Sequence, residues 1–305
     1  MCIPEVRIKA TVGLLMGTIL SAGALAQDVS PAAKAPPVRS ELLVSTDWLK
    51  AHLKDPEVVV LHVADKRQDF LRGHIPGARF LATAAFIDAE VEPMSELPAP
   101  AKLKEAFESL GVGDRSKVVL YTTGWFPNAP RAFFTLEYLG HAGAALLDGG
   151  IDRWIDEGRR IEAGPVNPPR GRLTIRVQEA LKASLDEVRR ASEDPAEQAQ
   201  IVDSRPARRY GAGHIPGARP LFWQDAFQGP DLPLFLSPDR LRTLLESRGI
   251  RPDRKLISYC EVGLQASVGY FLARYLGHDA AMYDGSFHEW NDLAHRPVTK
   301  GEMPR

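Results

Sequence analysis

Short apolar runs alternate with helical stretches along most of the chain. In the C-terminal half the runs are "QIVDS" (200–204), "KLISY" (255–259) and "AAMYD" (280–284). None shows the in-out alternation of a half-exposed strand, so each predicts a strand covered on both faces. Between them, "SPDRLRTLLESRG" (237–249) and "QASVGYFLARYLG" (265–277) predict helices. Ser237 stands as the cap of the first, Pro238 as its opening residue, and Gly249 closes it. Buried strands separated by helices specify an α/β class, an open, doubly wound, mainly parallel sheet flanked by helices.

The pattern occurs twice. "GHIPGAR" stands at 73–79 and again at 213–219, and three further pairs recur in the same order. "KVVLYTTG" (117–124) matches "KLISYCEVG" (255–263), "EYLGH" (137–141) matches "RYLGH" (274–278), and "LLDGGIDRW" (146–154) matches "MYDGSFHEW" (282–290). The chain is therefore a tandem of two homologous domains, over 40–162 and 178–297. The Pro- and Gly-rich stretch "EAGPVNPPRGR" (162–172) opens a linker over 163–177 that cannot sustain helix or sheet. Residues 27–39 read as a disordered lead-in and 298–305 as a tail.

The first 26 residues differ. Arg7 and Lys9 precede a charge-free run that ends in Ala24-Leu25-Ala26, the layout of a cleavable secretory signal. The run is too short and too rich in Gly, Thr and Ser for a spanning helix. The expected setting is periplasmic or secreted, with no membrane attachment after cleavage. Lys and Arg (38) nearly balance Asp and Glu (39), and no long basic run appears, which argues against nucleic acid as a partner.

Export makes cysteine usage informative. Cys2 leaves with the signal, so the mature chain keeps only Cys260, which has no internal disulfide partner. Free cysteine is usually buried and inert. Here, however, it follows the strand "KLISY" and precedes a helix, and ligands of open α/β sheets bind beyond such strand ends. The loop "CEVGLQ" presents unpaired N–H groups and a helix N-terminus to whatever sits in it. Gly263 lets the loop curl. A thiol placed there is expected to have a lowered pKa and to act as a nucleophile.

The repeated "GHIPGA", the Cys-led loop and "YDGSFHEW" resemble the tandem-domain rhodanese family, the thiosulfate and 3-mercaptopyruvate sulfurtransferases. The resemblance covers essentially the whole mature chain. It implies an inactive first domain, in agreement with Thr122 at the position of Cys260. It also implies transfer of a sulfane sulfur from a small anionic donor to cyanide or a thiol through a Cys260 persulfide, with a protein as an alternative acceptor. No metal or organic cofactor is implied.

"VDSRPARRY" (202–210) resembles the family stretch that binds the donor, which makes Arg209 the substrate arginine. Glu261, Val262, Gly263, Leu264 and Gln265 form the binding loop, and Asp203 and Arg205 support it, Arg205 as a partner of Asp203. His74 and His214 are read as turn and packing residues, with a histidine base for Cys260 as the alternative that an anion cradle makes unnecessary, and Trp154 and Trp290 as core, since each occurs in both repeats. Glu261 and Val262 depart from the basic or small residues usual after the cysteine. A carboxylate there repels an anionic donor and raises the thiol pKa.

Two other functions compete. A cysteine-dependent phosphatase or arsenate reductase needs an arginine six residues after the nucleophile, but Ala266 stands there. A non-enzymatic, partner-loaded persulfide carrier or binding module keeps the fold and the cysteine without free turnover.

Overall fold

The computed structural model describes residue 1 and residues 35–88, 96–194, 198–229 and 233–301. The signal segment, and the lead-in up to residue 34, lie outside the described residues apart from Met1. In the first repeat the strands are β1 (Leu43–Val44), β2 (Val58–Ala64), β3 (Arg79–Ala82), β4 (Lys117–Thr122) and β5 (Ala144–Leu147). They form one parallel sheet in the order β1-β5-β4-β2-β3. Its helices are α1 (Thr46–His52), α2 (Arg67–Arg72), α3 (Pro100–Ser109), α4 (Asn128–Tyr138) and α5 (Gly150–Asp156).

The second repeat has β6 (Ala199–Asp203), β7 (Arg219–Pro220), β8 (Lys255–Tyr259) and β9 (Ala280–Met282), again all parallel, in the order β7-β6-β8-β9. Its helices are α6 (Leu185–Glu193), α7 (Ala207–Ala212), α8 (Pro238–Ser247) and α9 (Ala266–Tyr275). The strands and helices expected from the sequence are present to within a few residues. Ser237 caps α8 through the Arg240 N–H, and Pro238 opens it.

The shared motifs build the same frame twice. The Ile75 N–H donates to Tyr121 Oη at 3.1 Å, and the Ile215 N–H to Tyr259 Oη at 3.2 Å. His74 Nδ1 lies 2.9 Å from the Phe70 carbonyl, and His214 Nδ1 2.9 Å from that of Tyr210. A carbonyl only accepts, so Nδ1 carries the proton in both. Each imidazole also stacks on the ring of that same partner. Trp154 and Trp290 are buried, and their indole N–H groups donate to the carbonyls of Arg160 and Pro297, both at 2.8 Å. These four residues have the packing roles expected of them.

The connecting segments are more ordered than their composition suggests. Residues 35–39, expected within a disordered lead-in, are tied to the second repeat. The Arg39 N–H donates to Tyr275 O at 2.8 Å, and Arg242 donates to Pro36 O at 2.8 Å. The linker has no helix or strand, yet Leu173 is buried and its N–H donates to Glu108 at 2.8 Å. The start of the tail pairs back as well, Thr299 with His214, in the same way that Glu162 pairs with His74. Backbone groups near apolar surface must find partners, and these segments find theirs on the domains. No helix among the described residues is long and apolar enough to cross a membrane.

Helices α4 and α9 pack the two repeats together. Phe133 meets Phe271 and Phe134 meets Tyr270 edge-on, at centroid distances of 5.1 and 5.0 Å. Glu137 accepts from Tyr270 Oη at 2.7 Å and from Arg274 Nε at 3.1 Å. Deeper in, Arg131 of α4 pairs with Asp284, just after β9, at 2.5 Å, and both side chains are 0% exposed.

Arg131→Leu strands the Asp284 charge and is expected to cost about 3–5 kcal/mol, whereas Arg131→Leu/Asp284→Leu recovers most of it. Chemical denaturation of the two variants checks this. His62 is buried in β2, and burial, then the charge of His74, lowers its pKa from 6.5 to about 4. Below 6.5 the unfolded chain takes up a proton that the fold refuses until about 4. Stability is therefore lost as pH falls through that window. Wild type should lose about 3 kcal/mol more than His62→Gln between about pH 7 and pH 4 in urea titrations.

Candidate active site

Strand β8 ends at Tyr259, so Cys260 is the first residue beyond the carboxyl edge of the sheet, and α9 begins at Ala266. The intervening loop curls around the sulfur. Gly263 has φ +84°, and a Cβ there would lie 2.7 Å from both the carbonyl and the carboxylate of Asp284. Only glycine fits both demands. The amides of Ala266, Val262 and Gln265 converge on Cys260 Sγ. The N–H cradle expected from the sequence is thus present.

The thiol itself departs from expectation. Cys260 is only 1% exposed. Burial pushes its pKa up from the ordinary value of 9.0, the three amides pull it down, and the Asp203 charge adds to the rise. The net shift is upward, not the lowering predicted for a strand-end cysteine. The physical reason is desolvation, since dipoles from three N–H groups do not replace the full hydration of an anion.

A second segment backs the loop. The Cys260 N–H donates to Ser286 Oγ at 3.1 Å, and Ser286 Oγ donates to Tyr283 O at 2.9 Å. The N–H groups of Phe287 and His288 donate to the carbonyls of Cys260 and Glu261, both at 3.0 Å. Ser286 holds φ +54°, where the first repeat has Gly150 at +58°. A serine in that left-handed region is strained, and the hydrogen bond to Cys260 is what the serine adds over glycine.

Beside the loop lies a buried charged cluster. Arg205 donates to Asp203 Oδ2 at 2.7 Å and to Gly213 O at 2.7 Å, and reaches Glu261 Oε2 at 3.3 Å. Its guanidinium lies 4.0 Å over the Phe287 ring. Tyr259 Oη donates to Asp203 Oδ2 at 2.6 Å. Burial alone lowers the Arg205 pKa, but the hydrogen bonds and charge of Asp203 outweigh it and hold it above its ordinary value. Asp203 and Arg205 therefore pair as expected from the sequence. Glu261 is half-buried and turned toward Arg205, so its charge is partly balanced.

The remaining candidates are placed as follows. Val262 and Gln265 contribute amides, while the Leu264 carbonyl accepts from Ser267 Oγ at 2.6 Å. Arg209 is exposed on α7, and its side chain has no hydrogen bond or ion pair among the described residues. Arg205, not Arg209, is the arginine that meets the Cys260 loop. Reading the sequence does not single out Asp284, Ser286 or Arg131. The available signal was the recurrence of "LLDGG" as "MYDGS", whose aspartates both reach across the junction. Asp148 accepts from the Phe235 N–H at 3.0 Å and Asp284 from the Leu97 N–H at 3.2 Å.

The first repeat carries Thr122 at the end of β4, with Gly124 at φ +84° in its loop. Thr122 is half-buried, and its hydroxyl donates to the Thr123 carbonyl at 3.1 Å. No thiol stands there to be held by the loop.

Comparison with known proteins agrees with this duplicated architecture. The rhodanese-like domain matches twice, over residues 45–157 and 184–293. The chain is 35% identical over 286 residues to the sulfur carrier protein TtuD of Thermus thermophilus, covering 86% of this chain and 98% of that protein. It is 30% identical to the 3-mercaptopyruvate sulfurtransferase of Escherichia coli K12, over 84% of this chain and 96% of that enzyme. The crystal structure of SseA from Escherichia coli, a 3-mercaptopyruvate sulfotransferase, superposes with a TM-score of 0.73 at 29% identity, over 81% of this chain and 98% of that one. With its two matched domains and the same two-sheet fold, the chain belongs to the rhodanese family.

Proposed function

We propose that the protein is a sulfurtransferase of the thiosulfate/3-mercaptopyruvate type that carries sulfane sulfur on Cys260. The observation that carries this reading is the convergence of three backbone amides on the Cys260 thiol, at a strand end. Similarity to a 3-mercaptopyruvate sulfurtransferase and to a sulfur carrier supports it.

The reaction has two displacements. The Cys260 thiolate attacks the outer sulfur of the donor. With thiosulfate, a new S–S bond forms, the old one breaks, and sulfite leaves with its electron pair. With 3-mercaptopyruvate, the C–S bond breaks and the organic fragment takes a proton to leave as pyruvate. The acceptor then attacks the outer sulfur of the persulfide. Cyanide leaves as thiocyanate, or a thiolate as its persulfide, and the Cys260 thiolate returns. The amides of Val262, Gln265 and Ala266 stabilise the anionic sulfur in each resting stage. They are fixed before the reaction, because Asp284 and Ser286 hold the loop from behind.

Deep burial favours one refinement. At 1% exposure the thiol admits only a small donor or a partner that opens the loop, which keeps a protein acceptor in view. Donor choice rests on Glu261. With Arg205 beside it, its repulsion of an anion is reduced but not removed.

Intact-mass measurement of the mature protein after mixing with thiosulfate, and separately with 3-mercaptopyruvate, tests the proposal. A gain of one sulfur atom is expected, absent in Cys260→Ser. No gain from either donor, while Cys260 still alkylates, rejects turnover with free donors and leaves a partner-loaded carrier. The raised thiol gives a second expectation. The rate of Cys260 alkylation should climb about tenfold per pH unit through neutrality without levelling before about pH 9. A plateau near neutral pH would show that the amides win over burial.

A further inference from the structure

A cavity of about 680 Å³ opens at the carboxyl edge of the first sheet, where the thiol-free loop stands. It is lined by Thr122, Trp125 and Phe126 of that loop, by Asp152 of α5, and by Trp223 and Asp225 of the second repeat. Its volume suits a small organic ligand. The repeat places it where the Cys260 loop places its sulfur, yet its chemistry is reversed.

Three observations define that reversal. First, the N–H cradle is dismantled. Pro127 caps α4 where Gln265 caps α9, and proline has no N–H. The amide of Asn128, at the place of the Ala266 amide, donates instead to the Trp125 carbonyl at 3.2 Å. Second, the charged side chains on the described lining are both carboxylates, with no Lys, Arg or His among them. Asp225 is held by Arg248 at 3.2 Å, while Asp152 has no hydrogen bond or ion pair among the described residues. Third, the walls are aromatic. Trp223 lies parallel to Phe126 at a centroid distance of 6.4 Å, and Trp125 is 40% exposed, a large apolar surface left facing solvent.

We propose that this cavity binds a small organic cation, an ammonium group on an apolar body. Aromatic faces attract a cation through their quadrupoles, and a carboxylate beside them completes the site. Asp225 already has the Arg248 guanidinium beside it, whereas Asp152, raised by burial and by Asp156, has no cationic partner among the described residues, and a cation seated against it supplies one. An anionic sulfur donor is repelled by the unpaired Asp152 carboxylate. The two loops of the repeat therefore sort ligands by charge, and this assignment does not depend on the sulfur chemistry at Cys260.

Tryptophan fluorescence of the full mature chain, titrated with benzyltrimethylammonium, tests the site against benzyl alcohol and benzoate as neutral and anionic comparators. The cation should quench saturably and bind about tenfold tighter than the alcohol, with benzoate weaker still. Asp152→Asn and Trp125→Ala, both changes at exposed side chains, should each weaken it severalfold while leaving sulfur loading of Cys260 intact. Benzoate binding as tightly as the cation, cation binding unchanged in both variants, or no saturable quenching by the cation would each overturn the proposal.

Discussion

The junction between the repeats rests on a charge pair that water does not reach. Arg131 comes from α4 of the first repeat and Asp284 from the end of β9 in the second. A buried pair of this kind adds little net stability over apolar packing. It does fix geometry, since any displacement leaves a charge unpaired in a low-dielectric interior. Asp284 also accepts from the Leu97 N–H and lies against Gly263. The loop carrying Cys260 is therefore seated on a residue whose position the other domain sets. A domain without a thiol still shapes the thiol's surroundings.

Duplication has kept the frame and changed the edges. Tyr121 and Tyr259, His74 and His214, and Trp154 and Trp290 make matching hydrogen bonds in the two halves. The differences lie at the carboxyl ends of the strands. Thr122 stands for Cys260, Gly150 for Ser286 and, since each pairs in register with the matching Tyr121 or Tyr259, His62 for Asp203. One edge gathers N–H groups around sulfur, and the other lines a cavity with aromatic rings and carboxylates. The same sheet thus carries two different strand-end surroundings, because loops rather than strands set them.

At Cys260 the structure sets two effects against each other. The amides favour the anion, and burial opposes it. Such a site suits a sulfur that must be held as well as transferred. Water is kept from the Cys260 sulfur, while the dipoles needed when charge develops are already aligned. The cluster of Asp203, Arg205, Tyr259 and Glu261 stands beside this loop with its charges largely paired internally.

The sequence by itself determined the strands, the helices and their duplication, because unalternating apolar runs and repeated motifs are local signals. "KLISY" becomes β8 without a shift, and Ser237 and Pro238 begin α8 as read. It also marked Cys260 and the need for Gly263, since a strand end followed by a helix start is visible in one dimension. Tertiary structure decided what no local window contains. It brought Arg131 to Asp284 across 153 positions, turned Glu261 to Arg205, and ordered residues 35–39 on α9 and α8. It also reversed the expected thiol shift, because desolvation depends on everything packed around a group, whereas the cradle depends only on its own loop.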